Sequence, residues 1–217
     1  LPSPAPRDHF LYLFGSSDRE VVDAFSREPN VGQVLSLMNG YVQEQPLADL
    51  CREIAAYKVD LKGFDEGFFK RHTGGDLKHV LETLRRLRQH GTWTEIVALV
   101  IPTQNDSEAE TRALARFVRD EVGEETPVHF TRFHPSYRLQ NLPSTPVSTL
   151  DRCRSVAMAE GLRFVYLGNV PGHPGESTYC PGCGKLLIRR FGMAVAENRM
   201  REGACPDCRR RIPGIWA

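Results

Sequence analysis

The chain has 217 residues, of which 25% are charged, and its formal net charge is +1. This length supports one sizeable core with a small satellite, and the near-neutral charge excludes a global field that would attract nucleic acid or membranes. No apolar run approaches the ~18 residues of a membrane span, and the first residues lack the features of a secretory signal. We therefore expect a cytoplasmic protein, and the absence of an initiator methionine indicates a fragment or a processed chain.

Short apolar segments alternate with amphipathic ones along the chain. Strands are predicted at residues 10–14, 31–38, 57–61, 94–101, 128–134 and 163–167. Helices are predicted at residues 19–27, 47–56, 77–90, 108–121 and 147–160. This alternation predicts an α/β fold in which a parallel sheet carries its helices on the outside.

Helix ends are marked by specific residues. Gly91 stands directly after the helix predicted at 77–90, as is typical of a helix C-terminus. Ser107 and Glu110 have the spacing of a capping box. Thr145 followed by Pro146 predicts a helix cap with proline at the first helical position.

Two observations narrow the kind of α/β fold: the absence of phosphate-binding loops and the length of the chain. No G-x-G-x-x-G or Walker loop follows a predicted strand, which disfavours a nucleotide-binding doubly wound sheet. An eight-unit barrel needs about 250 residues, more than precede the cysteine-rich tail. We predict a partial parallel (β/α) barrel at residues 31–175, after a poorly defined segment at 1–30 and before a tail at 176–217.

The tail contains two C-x-x-C motifs, Cys180-Pro-Gly-Cys183 and Cys205-Pro-Asp-Cys208. Two such knuckles facing each other supply the tetrahedral set of four thiolates that Zn²⁺ prefers, so they predict a zinc ribbon. Iron in the same site and a pair of disulfides are the alternatives. The other two cysteines, Cys51 and Cys153, lie in predicted helices and are expected to be ordinary buried residues.

Polar residues follow several predicted strands, where parallel α/β folds place their chemistry. Asn39 follows the second strand, and Asp60 and Lys62 lie at the end of the third. Because Asp60 and Lys62 are two residues apart, they are predicted to share one face of the strand. Pro102 follows the fourth predicted strand, and His134 is the last residue of the fifth. Together these side chains would ring one mouth of the barrel.

Each of these residues also has a plainer interpretation. An Asp-x-Lys pair is commonly a local ion pair, and a single residue such as His134 is commonly a structural hydrogen-bonding group. Asn105 and Asp106 are ordinary residues for a helix start. What favours a functional interpretation is the order of the polar groups along the chain and their common position at strand ends.

The order of these motifs resembles that of radical S-adenosylmethionine (SAM) enzymes of the AmmeMemoRadiSam type, which are similar to glycyl-radical-enzyme activases. The resemblance covers residues 35–216. It rests on NGY at 39–41, VDLKGFDE at 59–66, VIPTQNDSE at 100–108, RFHP at 132–135, YLGNVPGHPGE at 166–176 and TYCPGCG at 178–184.

The resemblance implies a partial barrel that binds a [4Fe–4S] cluster and SAM at its mouth. By position, Asn39, Asp60, Lys62 and His134 would contact SAM, and Pro102 would lie beside the adenine. It also implies reductive cleavage of SAM to a 5′-deoxyadenosyl radical, an electron donor as partner, and a protein or small molecule as substrate.

The chain departs from the family pattern in two respects, and one is the missing Gly-Gly-Glu element that usually follows the second strand. The C-x-x-x-C-x-x-C motif that holds the cluster does not occur in these 217 residues. We expect the chain to be the C-terminal portion of the full enzyme, with the cluster ligands outside it. Since the segment GNVPGHPGEST leads from the last strand to the first knuckle, the ribbon is expected near the rim of the mouth, with His173 as part of the loop structure.

Two other functions remain open. The first is a zinc-ribbon module that binds protein or nucleic acid, which the arginines of the tail favour. The second is a catalytically inactive paralogue that keeps the nucleoside pocket without the cluster. Of the possible partners, nucleic acid is the less favoured, because the net charge of the chain is close to zero.

Overall fold

The computed structural model describes residues 44–136 and 139–216. Strands are β1 (Ala56–Asp60), β2 (Trp93–Val100), β3 (Val128–Arg132), β4 (Val165–Gly168), β5 (Thr178–Tyr179), β6 (Leu186–Phe191) and β7 (Ala194–Asn198). Helices are α1 (Glu44–Glu53), α2 (Glu66–Thr73), α3 (Leu77–His90), α4 (Glu108–Phe117) and α5 (Val147–Ala159). A π-helical segment, Val118–Gly123, extends α4, and a 3₁₀ turn, Pro174–Glu176, precedes β5.

Strands β1 to β4 form a parallel sheet in the order β1-β2-β3-β4. The predicted α/β fold with a parallel sheet is therefore confirmed. Each strand lies beside the next along the chain, so the order does not reverse within the described part, as it would in a doubly wound sheet. The strands predicted at 10–14 and 31–38 and the helix predicted at 19–27 lie outside the described residues.

The two faces of the sheet have different environments. In β2, Ile96, Ala98 and Val100 are buried, whereas the residues between them are only partly buried. The buried face packs against α3 and α4 through residues such as Leu84 and Leu114. The helices therefore cover one face, and the other face, called the inner face below, carries the odd-numbered residues of β2.

The helix boundaries follow their capping residues. Helix α3 spans the predicted range, with Asp76 accepting from the backbone N–H of Lys78 and Gly91 in the left-handed conformation (φ 70°) after its end. Helix α2 was not predicted, although Asp65 caps its start and Gly74 (φ 71°) its end. Eight residues with a cap at each end give a weaker periodic signal than the fourteen residues of α3.

The prediction that Thr145 caps α5 is wrong. The helix begins at Val147 with Pro146 before it, and no side chain caps it. The hydroxyl of Thr145 instead donates to the carbonyl of Val100 (2.6 Å) and accepts from the N–H of Phe133 (3.1 Å). This fully buried side chain therefore joins the ends of β2 and β3.

The tail forms a second, antiparallel sheet in the order β5-β6-β7. Its own small core contains Leu187, Ile188, Ile212 and Phe164, separate from the core between the parallel sheet and its helices. The division of the chain at residues 30 and 175 stays a prediction. No helix in the described ranges is both long and apolar enough to cross a membrane.

Candidate functional site

Residues that follow the four parallel strands meet at one end of the sheet. We call this end the carboxyl edge; it comprises residues 60–63, 100–106, 132–134 and 168–173. Of the predicted SAM contacts, Asp60, Lys62, Pro102 and His134 lie there. Asn39 lies outside the described residues.

Asp60 lies between two lysines at the end of β1. Its Oδ2 accepts a hydrogen bond from Lys62 Nζ at 2.8 Å, and Lys58 Nζ is 3.3 Å from Oδ1. Lys58, Asp60 and Lys62 follow one another at intervals of two residues. Their contacts place them on the inner face, as predicted for Asp60 and Lys62. Oδ1 is buried and accepts no hydrogen bond from the described residues, although it is ion-paired with Lys58. This oxygen can still accept from a ligand amine or hydroxyl.

Asn105 joins the ends of the first two strands. Its amide donates to the carbonyls of Lys62 (2.9 Å) and Leu99 (2.8 Å), and its Oδ1 accepts from the N–H of Ile101 (2.6 Å). The sequence analysis interpreted Asn105 as an ordinary residue of a helix start. The cap of α4 is instead Ser107, whose side chain accepts from the N–H of Glu110. An Asn that precedes a separate helix cap is the signal that could have revealed this role.

The predicted capping box at the start of α4 is half formed. The Glu110 side chain does not return to Ser107 but accepts from the N–H of Phe64 (2.7 Å), in the loop that follows β1. Burial raises the pKa of Glu110, and the Phe64 hydrogen bond only partly offsets this effect. Glu110 therefore holds the loop after β1 against α4.

Pro102 and His134 stand at the ends of β2 and β3. Pro102 is buried and begins a turn whose next residue, Thr103, has φ 65° and donates its N–H to Asp106 Oδ1 (2.9 Å). His134 is exposed, with Nδ1 3.3 Å from Ser144 Oγ. Of the four described residues that were predicted to bind SAM, Asp60 and Lys62 contact each other directly. Pro102 and His134 lie at the two neighbouring strand ends.

The loop after β4 is held by local hydrogen bonds. Asn169 has φ 62° and donates its amide to the carbonyl of Arg132 (3.1 Å). His173 Nδ1 accepts from the N–H of Gly175 (3.0 Å), and its Nε2 lies 3.4 Å from Asp151 Oδ1. The predicted loop role of His173 is therefore confirmed.

The inner face carries a polar row that the sequence analysis missed. Glu95 Oε2 lies 3.0 Å from His129 Nε2, and the His129 ring stacks on Tyr166 with centroids 5.0 Å apart. Burial by itself disfavours the charged form of Glu95, but hydrogen bonds with His129 and Trp93 outweigh it, so the pKa of Glu95 is lowered. Within each strand these residues alternate with buried apolar ones, and His129 is in register with Tyr166, so the alternation was the available signal.

The four tail cysteines form one group, with all their sulfurs within 4.8 Å of one another. The separations are 3.5 Å for Cys180–Cys208 and 3.7 Å for Cys183–Cys205. A disulfide would need about 2.05 Å. A tetrahedral ion with 2.3 Å metal–sulfur bonds would place its sulfurs about 3.8 Å apart. The geometry fits a single tetrahedral metal ion.

The two knuckles have the same backbone hydrogen bonds. Cys180 donates its N–H to the carbonyl of Lys185 and accepts from the N–H of Gly184, and Cys205 does the same with Arg210 and Arg209. Backbone N–H groups of residues 208 and 207 point at the Cys205 sulfur and lower the pKa of its thiol to about 7. Thiolates are the form that binds metal, so the lowered pKa favours Cys205 as a metal ligand.

The position of the knuckles corrects one expectation. Cys180 and Cys205 pack in the cluster of Phe164, the residue before β4, and Arg210 donates to Glu125 (3.2 Å) ahead of β3. Both contacts are at the amino ends of the parallel strands. The four-cysteine group therefore lies opposite the carboxyl edge and not near the rim of the mouth, because the chain turns back after Pro174–Glu176.

The remaining cysteines have no partner sulfur within the described residues. Cys153 is buried on α5, and burial raises the pKa of its thiol, while Cys51 is half-buried on α1. As expected, Cys153 is an ordinary buried residue. Neither cysteine belongs to the metal-binding group.

Comparison with known proteins places this geometry in context. No protein-family profile matches the chain. The uncharacterized protein MJ0808 of Methanocaldococcus jannaschii is 45% identical over 209 residues, which are 95% of this chain. The chain spans 60% of the length of that relative.

Solved structures of radical SAM enzymes share the fold. A domain of pyruvate-formate lyase-activating enzyme from Bacteroides vulgatus matches with a TM-score of 0.52, at 16% identity, over 58% of this chain and 75% of that domain. SuiB from Streptococcus suis, bound to S-adenosylmethionine, matches with a TM-score of 0.50, at 10% identity, over 67% of this chain and 35% of SuiB. The chain has a fold that radical SAM enzymes use.

Proposed function

We propose that the chain is the C-terminal portion of a radical SAM enzyme of the AmmeMemoRadiSam type, similar to pyruvate formate-lyase activating enzyme. In the full-length protein, SAM would be cleaved reductively to a 5′-deoxyadenosyl radical. Asp60 carries this proposal, because its buried Oδ1 is ion-paired with Lys58 but accepts no hydrogen bond from the described residues. This oxygen lies at the carboxyl edge of a fold that radical SAM enzymes use. We also propose a cytoplasmic location, which the free thiols of all six cysteines favour.

The residues of the carboxyl edge suit different parts of SAM. Asp60 would accept from the ribose hydroxyls or the amino group through Oδ1. Lys62 and His134 would hold the carboxylate, Lys62 as a cation and His134 as a donor. Pro102 would lie beside the adenine, and Asn39 would complete the set. Bound SAM supplies the radical, while these residues orient it.

A [4Fe–4S] cluster does not fit the described cysteines. The thiolates that hold such a cluster bind different irons, so they stand farther apart than the sulfurs of Cys180 and Cys208. The four-cysteine group also lies at the opposite end of the sheet from Asp60. We propose that the cluster ligands lie outside these 217 residues, and that the electron donor binds where the cluster is held.

For the four-cysteine group we propose a structural zinc ion. Four thiolates leave no open coordination position for water or substrate, so the ion would hold the two knuckles together and take no part in the reaction. Zinc and iron differ in colour and in redox behaviour, and elemental analysis of the purified chain distinguishes them.

Titration of SAM into the ¹⁵N-labelled chain tests the proposal. We expect amide shifts first at residues 60–63 and 101–105, and at least ten-fold weaker binding in Asp60→Asn. Asp49→Asn is the matched control, because Asp49 is an exposed carboxylate on α1. Equal binding by Asp60→Asn and the unaltered chain, or shifts only elsewhere, would overturn the proposed site.

A further inference from the structure

A β-hairpin of the tail exposes large apolar side chains. The hairpin consists of β6 and β7 joined by Gly192 and Met193. Met193 is fully exposed, Phe191 is 61% exposed and Val195 is 58% exposed. Phe191 and Val195 lie on opposite faces of the hairpin and Met193 lies in its turn, so these three exposed side chains make an apolar patch around the hairpin tip. On soluble proteins, exposed apolar surface of this kind commonly marks an interaction site.

The hairpin also presents a bare strand edge. All five side chains of β7 are exposed, and β7 pairs only with β6 within the described residues. Proteins usually protect such edges with charged residues or proline. Residues 194–196 are Ala, Val and Ala, so this part of the edge is unprotected. An extended segment can add to an edge of this kind through backbone hydrogen bonds.

The tip of the hairpin is held beside the carboxyl edge of the parallel sheet. The buried carboxylate of Glu176 accepts from the N–H of Gly172, in the loop after β4, and from the N–H of Gly192 in the hairpin turn (2.9 and 3.1 Å). The Phe191 ring packs on Gly172, where a Cβ would lie 3.0 Å from the ring. The apolar patch therefore adjoins the end of the sheet that carries Asp60.

The charge around the hairpin is mainly positive. Four arginines lie on or beside β6 and β7, at positions 189, 190, 199 and 201, against two glutamates, at 197 and 202. Arg189 pairs with Glu197 (3.4 Å), and Arg199 and Arg201 are exposed. A partner that complements this surface carries acidic residues.

We propose that the hairpin docks an extended, acidic segment of a protein substrate, which pairs with β7. The apolar side chains of the segment pack on Met193 and Val195, and its acidic side chains face the arginines. Docking of this kind directs the neighbouring substrate residues to the carboxyl edge. The role of the partner as substrate rests on the proposed function, whereas the docking itself does not.

The test uses the full 217-residue chain and a synthetic peptide of about ten residues that alternates Val and Glu. We expect the peptide to shift the amide signals of residues 189–198 and to slow their hydrogen exchange. A Val–Lys peptide should bind at least five-fold more weakly, and an N-methylated Val–Glu peptide, which cannot complete the strand pairing, should lose binding. No shift at residues 189–198 with the Val–Glu peptide would overturn the proposal.

Matched variants locate the surface. Met193→Asp and Val195→Asp should each weaken the Val–Glu peptide at least five-fold. Met158→Asp is the control, because Met158 is an exposed apolar residue on α5, away from the hairpin. Equal effects in Met158→Asp and Met193→Asp would overturn the docking site.

Other occupants give different results. Concentration-dependent dimerisation in sedimentation, lost in Met193→Asp, would assign the hairpin to a second copy of the chain. Tighter binding of poly-uridylate than of the Val–Glu peptide would assign it to RNA. Either result overturns the proposal. If SAM fails to bind while the Val–Glu peptide binds at β7, the docking stands and the proposed enzyme function fails. If SAM binds while the Val–Glu peptide does not, only the docking proposal fails.

Discussion

Nε2 of His129 lies 3.0 Å from Oε2 of Glu95 on the neighbouring strand. The His129 ring also stacks on the ring of Tyr166. The Tyr166 hydroxyl forms a hydrogen bond with the hydroxyl of Thr178 (3.1 Å). Arg190 also donates to Thr178 (2.7 Å). A polar row therefore runs from the inner face of the parallel sheet into the antiparallel sheet of the tail.

Glu95→Gln should destabilise the chain at neutral pH. The pKa of Glu95 is lowered in the folded chain, so its stabilising effect is present above the ordinary glutamate range, about 4.3, and is lost as the pH falls through the lowered value. Because the side chain is 41% exposed, we expect a loss of about 1 kcal/mol at pH 7. Urea unfolding of Glu95→Gln and of the unaltered chain at pH 7 and pH 3 measures this loss of stability.

The difference between the two proteins should shrink as the pH falls from 7 to 3 and below, because Glu95 takes up its proton through the lowered pKa and then resembles Gln. Glu53→Gln, at an exposed position of α1, is the control and should change stability little at either pH. A difference that stays constant between pH 7 and pH 3 would show that the charge of Glu95 is not its cause.

Thr145→Val should destabilise the chain more strongly. The substitution keeps the volume but removes the hydroxyl that bonds to Val100 and Phe133, leaving a buried N–H without its acceptor. Such a loss costs about 1–3 kcal/mol. The free energy of unfolding in urea provides the measurement.

Thr83→Val controls for the loss of a buried threonine hydroxyl. Thr83 is equally buried but donates only to the carbonyl of His79 within α3, where the helix supplies a backbone bond as well. We expect a change near zero. Similar costs in Thr83→Val and Thr145→Val would contradict the bridging role of Thr145.

The sequence predicted the parallel strands well because their signal is local. Apolar runs bounded by polar residues place β1 to β4 within two residues of their observed limits. The roles of Thr145 and Asn105 depend on which strand ends become neighbours. Both residue types also cap helices, so local pattern alone assigned them to the adjacent helix starts.

The position of the four-cysteine group could not be predicted for a different reason. Spacing within the knuckles indicates the metal geometry but not the direction of the segment that leads to them. That direction depends on the Glu176 carboxylate, which holds Gly172 and Gly192 together, and on Phe164, which packs in the core of the tail. Contacts between residues far apart in the sequence leave no periodic signal.

The backbone conformation of the knuckles predicts different effects on stability for two substitutions. Gly184 (φ 72°) and Arg209 (φ 61°) occupy the same position in the two knuckles, and the left-handed conformation costs a non-glycine residue about 1 kcal/mol. No atom lies within 4 Å of a Cβ at Gly184, so the cost of Gly184→Ala is conformational. We expect Gly184→Ala to lose about 1 kcal/mol in metal-loaded stability and Arg209→Gly to lose none.

Thermal unfolding of the two metal-loaded variants beside the unaltered chain measures these effects. Gly182→Ala is a contrasting variant, because a Cβ there would lie 3.3 Å from the Arg210 side chain and 3.6 Å from the Cys208 sulfur. Its effect is steric. A stabilising effect of Gly184→Ala would contradict the conformational argument.

Removing the metal should unfold the tail and leave the parallel sheet folded. The two sheets have separate cores, and the small tail core includes Cys180 and Cys205 themselves. A core of this size is commonly insufficient without its metal. With one equivalent of zinc bound, chelation or Cys208→Ser should erase the dispersed amide signals of residues 178–212 while those of residues 56–132 persist.

Cys51→Ser is the matched control, since Cys51 is a half-buried cysteine outside the four-cysteine group. It should keep one zinc ion per chain and the signals of both sheets. Loss of the signals from both sheets on chelation would show that the tail stabilises the parallel sheet as a whole. That outcome would point to the contacts of Thr178 with Tyr166 and of Arg210 with Glu125, which join the tail to the inner face and to the loop before β3.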